Sequence, residues 1–249
     1  MSLPVSSIAG LDADTLRPRE RLIVALDVPN SAAALALVER LGNLVQWLKI
    51  GLELYLSEGN SIVDVIKNRG YSVFLDLKLL DIPNTVSGAV RSVAATGADM
   101  LTLHSAGGPA MLAAAQEAAA ALPSAPKLLA VTVLTSMDAT QLASTGVTAS
   151  PAEQVMRLAG MAYGAGIRGF VASAEEVAAM RAAYPQGTLV IPGIRPAGAE
   201  TGDQKRVATP AAAIAAGADY LVIGRPITQA ADPAAAAYSI LEEIATVKR

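Results

Sequence analysis

Residues 72–86 read SVFLDLKLLDIPNTV. The first half is an apolar run of strand length that carries Asp76 and Lys78 near its end; the second turns through Asp81 into Pro83, Asn84 and Thr85. Proline in the first turn of a helix sacrifices no hydrogen bond, because the N–H it lacks has no intrahelical partner there. The stretch therefore reads as one β-strand delivering charged residues to the start of one α-helix.

The same unit recurs on both sides of this stretch. Strand-length apolar runs fall at 22–27, 47–51, 72–78, 100–104, 128–134, 169–172, 189–191 and 220–223. Stretches with helical spacing or Ala-rich composition follow at 32–41, 61–69, 86–96, 109–121, 151–165, 174–183, 210–216 and 233–247. Gly70, Gly97, Gly166 and Gly217 follow helical stretches and suit left-handed C-caps. Eight βα units fit either a doubly wound sheet or a closed barrel. A dinucleotide-binding doubly wound sheet carries a Gly-rich turn after its first strand, and ALDVPN stands there instead, at 25–30. The expectation is an α/β fold, a single-domain TIM (β/α)8 barrel, which takes about 250 residues. Residues 20–249 form that domain and residues 1–19 an N-terminal extension.

Composition narrows the function. The 249 residues are 53% hydrophobic and 16% charged, enough apolar material for a large core and unlike a disordered chain. A net charge of -3 offers no basic stripe for nucleic acid or an anionic membrane, so anionic ligands must be held locally. The mean hydropathy is +0.43, yet the apolar runs are broken well short of the ~20 residues of a membrane span. With no cysteine and one histidine, disulfides, thiolate nucleophiles, Cys-ligated metals and multi-histidine metal sites are excluded. The first twenty residues lack a basic n-region and a long apolar h-region, so the expected location is the cytoplasm.

In a barrel of this kind the reactive face lies at the C-terminal ends of the strands. Asp27 ends the first run, Lys49 lies in the second, and Asp76 and Lys78 end the third. Two residues apart on a strand, Asp76 and Lys78 point to one face with Cα atoms about 7 Å apart. Isolated charges inside a barrel are costly, whereas two aspartates alternating with two lysines compensate one another. The next turn, DIPNT at 81–85, sets the Asp81 carboxylate, the Thr85 hydroxyl and helix-start N–H groups beside that network. Across the barrel, the seventh strand runs into IPGIRPAGAETGDQ and the eighth into IGRP. Loops after strands seven and eight commonly bind phosphate in this architecture. Arg195 and Arg225 supply cations there, Gly193 and Gly224 permit close backbone approach, and Gln204 stands in a loop able to close over a ligand. The fifth run ends with hydroxyls at Thr135 and Ser136, either of which suits a polar ring. His104, the lone histidine, closes the fourth run and suits a supporting hydrogen-bonded role.

Taken together, Asp27, Lys49, FLDLKLLDIPNT, TLH, VTVLTS, PGIRPxGxxxGDQ and IGRP resemble the orotidine 5′-phosphate decarboxylase family of the bacterial type, over residues from about 21 to 235. The resemblance implies a homodimer of TIM barrels that converts orotidine 5′-phosphate to uridine 5′-phosphate (UMP) and carbon dioxide without a cofactor or metal, the last step of de novo UMP synthesis. It implies Lys78 as proton donor and Asp76 against the substrate carboxylate. It implies Asp27 and Lys49 holding the ribose and the charge network, and Asp81 entering the partner subunit's site. Ile82 and Thr85 are implied among the substrate contacts, Arg225 with Thr85 at ribose and phosphate, Arg195 and Gly224 at the phosphate end, and Gln204 in the closing loop. Thr135 or Ser136 is implied at the pyrimidine amide. The chemistry suits these residue types: loss of carbon dioxide from C6 leaves a carbanion with no adjacent electron sink, so a fixed ammonium must stabilise that charge as it forms.

Two rivals share the architecture. A magnesium-dependent sugar-phosphate decarboxylase or aldolase uses the same D-x-K-x-x-D spacing as Asp76, Lys78 and Asp81, but DIPNT and the GDQ loop argue against it. A catalytically silent nucleotide-binding barrel is the other, since fold alone does not establish activity.

Overall fold

The computed structural model describes residues 18–196 and 206–247. Its strands are β1 (Leu22–Ala25), β2 (Trp47–Gly51), β3 (Ser72–Leu79), β4 (Met100–His104), β5 (Lys127–Val131), β6 (Gly169–Val171), β7 (Thr188–Ile191) and β8 (Tyr220–Ile223). They pair in parallel in chain order, and β8 returns to β1 with Leu22 opposite Leu221, closing a barrel. The helices between them are α1 (Ser31–Leu41), α2 (Leu52–Glu58), α3 (Asn60–Asn68), α4 (Pro83–Ala94), α5 (Gly108–Ala120), α6 (Ala139–Ser144), α7 (Pro151–Gly164), α8 (Val177–Ala183), α9 (Pro210–Ala216), α10 (Arg225–Thr228) and α11 (Pro233–Ala245). The TIM-barrel expectation is met.

Strands buried on both faces read as unbroken apolar runs, and the alternation within them sorts two cores. Leu22, Val24, Leu48, Ile50, Val73 and Leu75 face outward into the layer shared with the helices. Ile23, Phe74, Met100, Leu129, Val190 and Val222 face inward and fill the barrel. Trp47 and Tyr220, at the N-terminal ends of β2 and β8, close its floor with an edge-to-face contact at 5.5 Å. Each large side chain so buried contributes about 1.5–3 kcal/mol.

The floor is also registered by a device used twice. Gly97-Ala98-Asp99 precedes β4, and Gly217-Ala218-Asp219 precedes β8. Asp99 Oδ2 accepts from the Val73 N–H and from Lys67, both at 2.7 Å. Asp219 Oδ2 accepts from the Leu189 N–H at 2.8 Å and from Arg181 at 2.6 Å. Each aspartate thus ties its strand to the neighbouring strand and helix. Gly97 and Gly217 adopt positive φ, as do Gly70 and Gly166, in keeping with the expected C-caps.

Differences from the sequence expectation at the fifth strand, at helix α8 and in the short helices have local causes. The fifth strand stops at Val131 rather than 134: the Thr132 N–H still reaches the Val171 carbonyl, but Leu134 already opens a turn closed by the Met137 N–H on its carbonyl, and Val133 between them is buried outside the strand. Helix α8 begins at Val177 rather than 174, because the Glu176 carboxylate draws the Ser173 N–H and hydroxyl into a turn. Helices α2, α6 and α10 are short insertions within βα connections that periodicity does not register.

Candidate active site

At the C-terminal ends of the strands the inward-facing positions change from apolar to charged. On β1 the series Ile23, Ala25 continues to Asp27; on β2 Trp47 gives way to Lys49; on β3 Phe74 gives way to Asp76 and Lys78. Register sets Lys49 beside Ala25 and Gly51 beside Asp76. Lys49 Nζ donates to Asp27 Oδ1 at 2.8 Å and lies 3.7 Å from Asp76 Oδ2. Lys78 Nζ donates to the same Asp76 oxygen at 2.8 Å. The four charges alternate in sign, as the sequence pattern predicts. Side-chain exposure rises from 9% at Lys49 and 15% at Asp76 to 35% at Lys78 and 57% at Asp27, so the pair at the centre is dry and the ends meet solvent.

The β3 end is not regular strand. Leu75 pairs with Leu101 and Leu79 with Leu103, so β3 spends two more residues than β4 between these pairings. Lys78 sits in this bulge with φ of 49°, the one positive φ at a non-glycine among the described residues. Such a conformation costs on the order of 1–3 kcal/mol and persists only where its surroundings enforce it. The side-by-side placement of Asp76 and Lys78 expected from strand periodicity is present, but a bulge delivers it.

Asp76 is held as a carboxylate. Burial pushes its pKa up, but the Lys49 and Lys78 ammoniums and hydrogen bonds from Lys78 and Thr102 outweigh burial and hold it below the usual carboxylate value. Burial, and then the nearby Lys78 ammonium, lower the pKa of His104. Its Nδ1 accepts the Ala106 N–H at 3.2 Å, so the neutral ring carries its proton on Nε2.

A cavity of about 420 Å³ opens over this network. Ala25, Phe74, Val131, Val171 and Val222 give it an apolar floor, and Asp27, Lys49, Asp76 and Lys78 form one wall. Thr135, Ser136, Arg195, Gly224 and Arg225 are also among its lining, so both hydroxyl residues left open by the sequence border the cavity. Gly193 turns the chain at φ of 75°, and the Arg195 N–H donates to the Ala208 carbonyl at 2.9 Å. Behind this wall lies a buried ion pair: Arg206 binds Glu176 and also donates to the carbonyls of Val133 and Leu134 at 3.3 and 3.2 Å. Arg206 thereby fixes the backbone just before Thr135.

Asp81, Ile82 and Thr85 are exposed on the rim, outside the cavity wall. Asp81 Oδ1 accepts the Ile82 N–H at 2.6 Å. Gln204 lies outside the described residues. Among the described residues, no three His, Cys, Asp or Glu side chains are grouped as metal ligands.

Two residues of the site escape sequence reading. Thr102 hydrogen-bonds Asp76, but threonine in a strand reads as an ordinary β-former; its inward parity between Met100 and His104 is the available signal. Gly51 reads as a strand end. A Cβ there would stand 2.9 Å from Lys49 Nζ and 3.0 Å from Asp27 Oδ1, so only glycine leaves room for that pair.

The arrangement offers one buried and one partly exposed lysine and two carboxylates at one end of an apolar slot, with arginines at the other. Residues 20–240 match the model of the "Orotidine 5′-phosphate decarboxylase / HUMPS family". The chain belongs to this family. The orotidine 5′-phosphate decarboxylase of Halorhodospira halophila is 53% identical over 226 residues, covering 90% of this chain and 96% of that one. The enzyme of that name from Moorella thermoacetica is 50% identical over 240 residues, covering 94% and 95%. Among solved structures, the family's orotidine 5′-phosphate decarboxylase from Lactobacillus acidophilus superposes with a TM-score of 0.79 at 36% identity, covering 90% of this chain and 99% of that one.

Proposed function

We propose that this chain decarboxylates orotidine 5′-phosphate to UMP and carbon dioxide, the last step of de novo UMP synthesis. The observation that carries this reading is the alternating Asp27–Lys49–Asp76–Lys78 network over an apolar floor, in a chain about half identical to decarboxylases of this name. The magnesium-dependent alternative is not favoured, since those relatives span nine-tenths of the chain.

In this reading the C6 carboxylate of the substrate lies against Asp76, and the C6–C bond breaks with its electron pair left on C6. The Lys78 ammonium, oriented by Asp76, stabilises that pair and gives C6 a proton. Asp27 and Lys49 hold the ribose hydroxyls, and Thr135 or Ser136 meets the pyrimidine amide. Arg195, Gly224 and Arg225 take the phosphate, and Gln204 is a further substrate contact. Contacts at the phosphate, remote from C6, then help to organise the reacting groups. No cofactor or metal enters the reaction.

We infer further that the protein is a cytoplasmic homodimer. Leu52 and Leu56 after β2, and Leu80 and Ile82 after β3, are exposed at the cavity end of adjacent strands, an apolar surface suited to a second copy. Asp81, Ile82 and Thr85, exposed among them, would enter the partner's cavity. No described helix is long and apolar enough to cross a membrane. Residues 20–249 form the decarboxylase domain, an assignment supported by the family match beginning at residue 20, and residues 1–19 lie outside it.

The test is the ultraviolet absorbance of orotidine 5′-phosphate with purified protein and excess chelator, with UMP identified by chromatography. Conversion that survives the chelator is expected. Folded protein that leaves orotidine 5′-phosphate intact yet acts on a sugar phosphate with magnesium would overturn the reading.

A further inference from the structure

We propose that Thr102 is a positioning residue for proton delivery, holding Lys78 at both its backbone and, through Asp76, its ammonium. The inference rests on Lys78 as the acid of the proposed reaction. Thr102 lies on β4, fully buried at an inward-facing position. A hydroxyl in a barrel interior is costly unless it is bonded, and this one is bonded twice. It accepts the Lys78 backbone N–H at 2.9 Å and donates to Asp76 Oδ1 at 2.9 Å.

The directions of these bonds are forced. A backbone N–H only donates, so the Thr102 oxygen accepts there, and its single proton is left for the carboxylate. The hydroxyl therefore favours ionised Asp76, in line with the lowered pKa of that group. It also occupies one carboxylate oxygen and leaves the other to Lys78 and Lys49. At the backbone, the regular β3–β4 pairing is broken between Leu75 and Leu79. The Lys78 N–H is satisfied by this side chain instead, at the residue that adopts the left-handed φ. One hydroxyl thus braces the strained backbone of the proposed acid and aims the carboxylate that orients its ammonium.

Packing and hydroxyl roles predict opposite behaviour in two variants. Thr102→Val keeps the shape and removes the hydroxyl; Thr102→Ser keeps the hydroxyl and removes a methyl. We expect Thr102→Val to lower kcat about tenfold or more with KM changed less than about threefold, and Thr102→Ser to stay within about threefold of wild type. In ligand-free protein, Thr102→Val should move the Asp76 carboxyl titration, read by 13C NMR, to higher pH. A Val variant with wild-type kcat and an unmoved Asp76 titration, or a Ser variant as impaired as Val, overturns the inference. Should Thr102→Val not fold, Thr102→Cys takes its place with the same expectations, its thiol being a weak donor. If wild-type protein leaves orotidine 5′-phosphate unchanged, the proposed function fails and the NMR titration decides on Thr102 alone: an upward move supports its hold on Asp76, and no move overturns it.

Discussion

Gly51 has no side chain and no titratable group, yet the Lys49–Asp27 pair depends on it. Its missing Cβ is the space that the Lys49 ammonium and the Asp27 carboxylate share. The clash introduced by alanine is with the ends of side chains rather than with backbone, so they can move and the fold should survive. What is lost is the contact at 2.8 Å and the placement of Lys49 beside Asp76. Gly51→Ala is therefore expected to lower kcat/KM about tenfold to a hundredfold while leaving the thermal midpoint within a few degrees. Steady-state kinetics and thermal unfolding on one preparation check this. The four charges of the site are legible in the sequence because charge at inward positions of apolar strands has no structural reason to be there. Gly51 and Thr102 are not, because one reads as a strand end and the other as a β-former, and their role exists only once register sets them beside Asp76 and Lys78.

At the scale of elements, the barrel was legible because parallel strands buried on both faces leave continuous apolar runs, and because four glycines end helices where the chain must reverse. The β3 bulge was not. Its residues keep the alternation of a strand, and the extra pair appears only in the pairing with β4. Nor were α2, α6 and α10, which at four to seven residues are shorter than the window in which helical periodicity shows. The Asp99 and Asp219 devices at the floor lie far from the charged network and serve register. Removing either carboxylate leaves a strand N–H without its acceptor and a cation without its carboxylate partner, although Arg181 keeps its bonds to the Gly217, Pro185 and Gly187 carbonyls. Asp219→Ala is expected to lower unfolding free energy by about 1–3 kcal/mol, measured by denaturant titration, with kcat of the folded fraction unchanged.

Across the whole molecule, the four residues of the network and the cations of the opposite wall come from strands on both sides of the closed barrel, so closure itself builds the cavity. The rim residues stand apart. Asp81 faces solvent within one chain, and Leu52, Leu56, Leu80 and Ile82 are exposed on its own connection and on the one after β2. If Asp81 completes the site of a second copy, mixing Asp81→Ala with Lys78→Ala subunits pairs one unimpaired site with one doubly impaired site. Each variant alone is expected to be poorly active, and verified heterodimers should regain a substantial fraction of the activity per wild-type site. Heterodimers no more active than the parents would place Asp81 in its own subunit's site or outside the chemistry.

Lys78, set in its bulge between Asp76 and Thr102, is proposed to deliver the proton that follows loss of carbon dioxide. The most direct test of this step is the rate of UMP formation by Lys78→Ala against wild type, with excess chelator and saturating orotidine 5′-phosphate. A loss of at least about a hundredfold in kcat, with UMP still bound by the variant, is the predicted result; a rate near wild type would contradict the account.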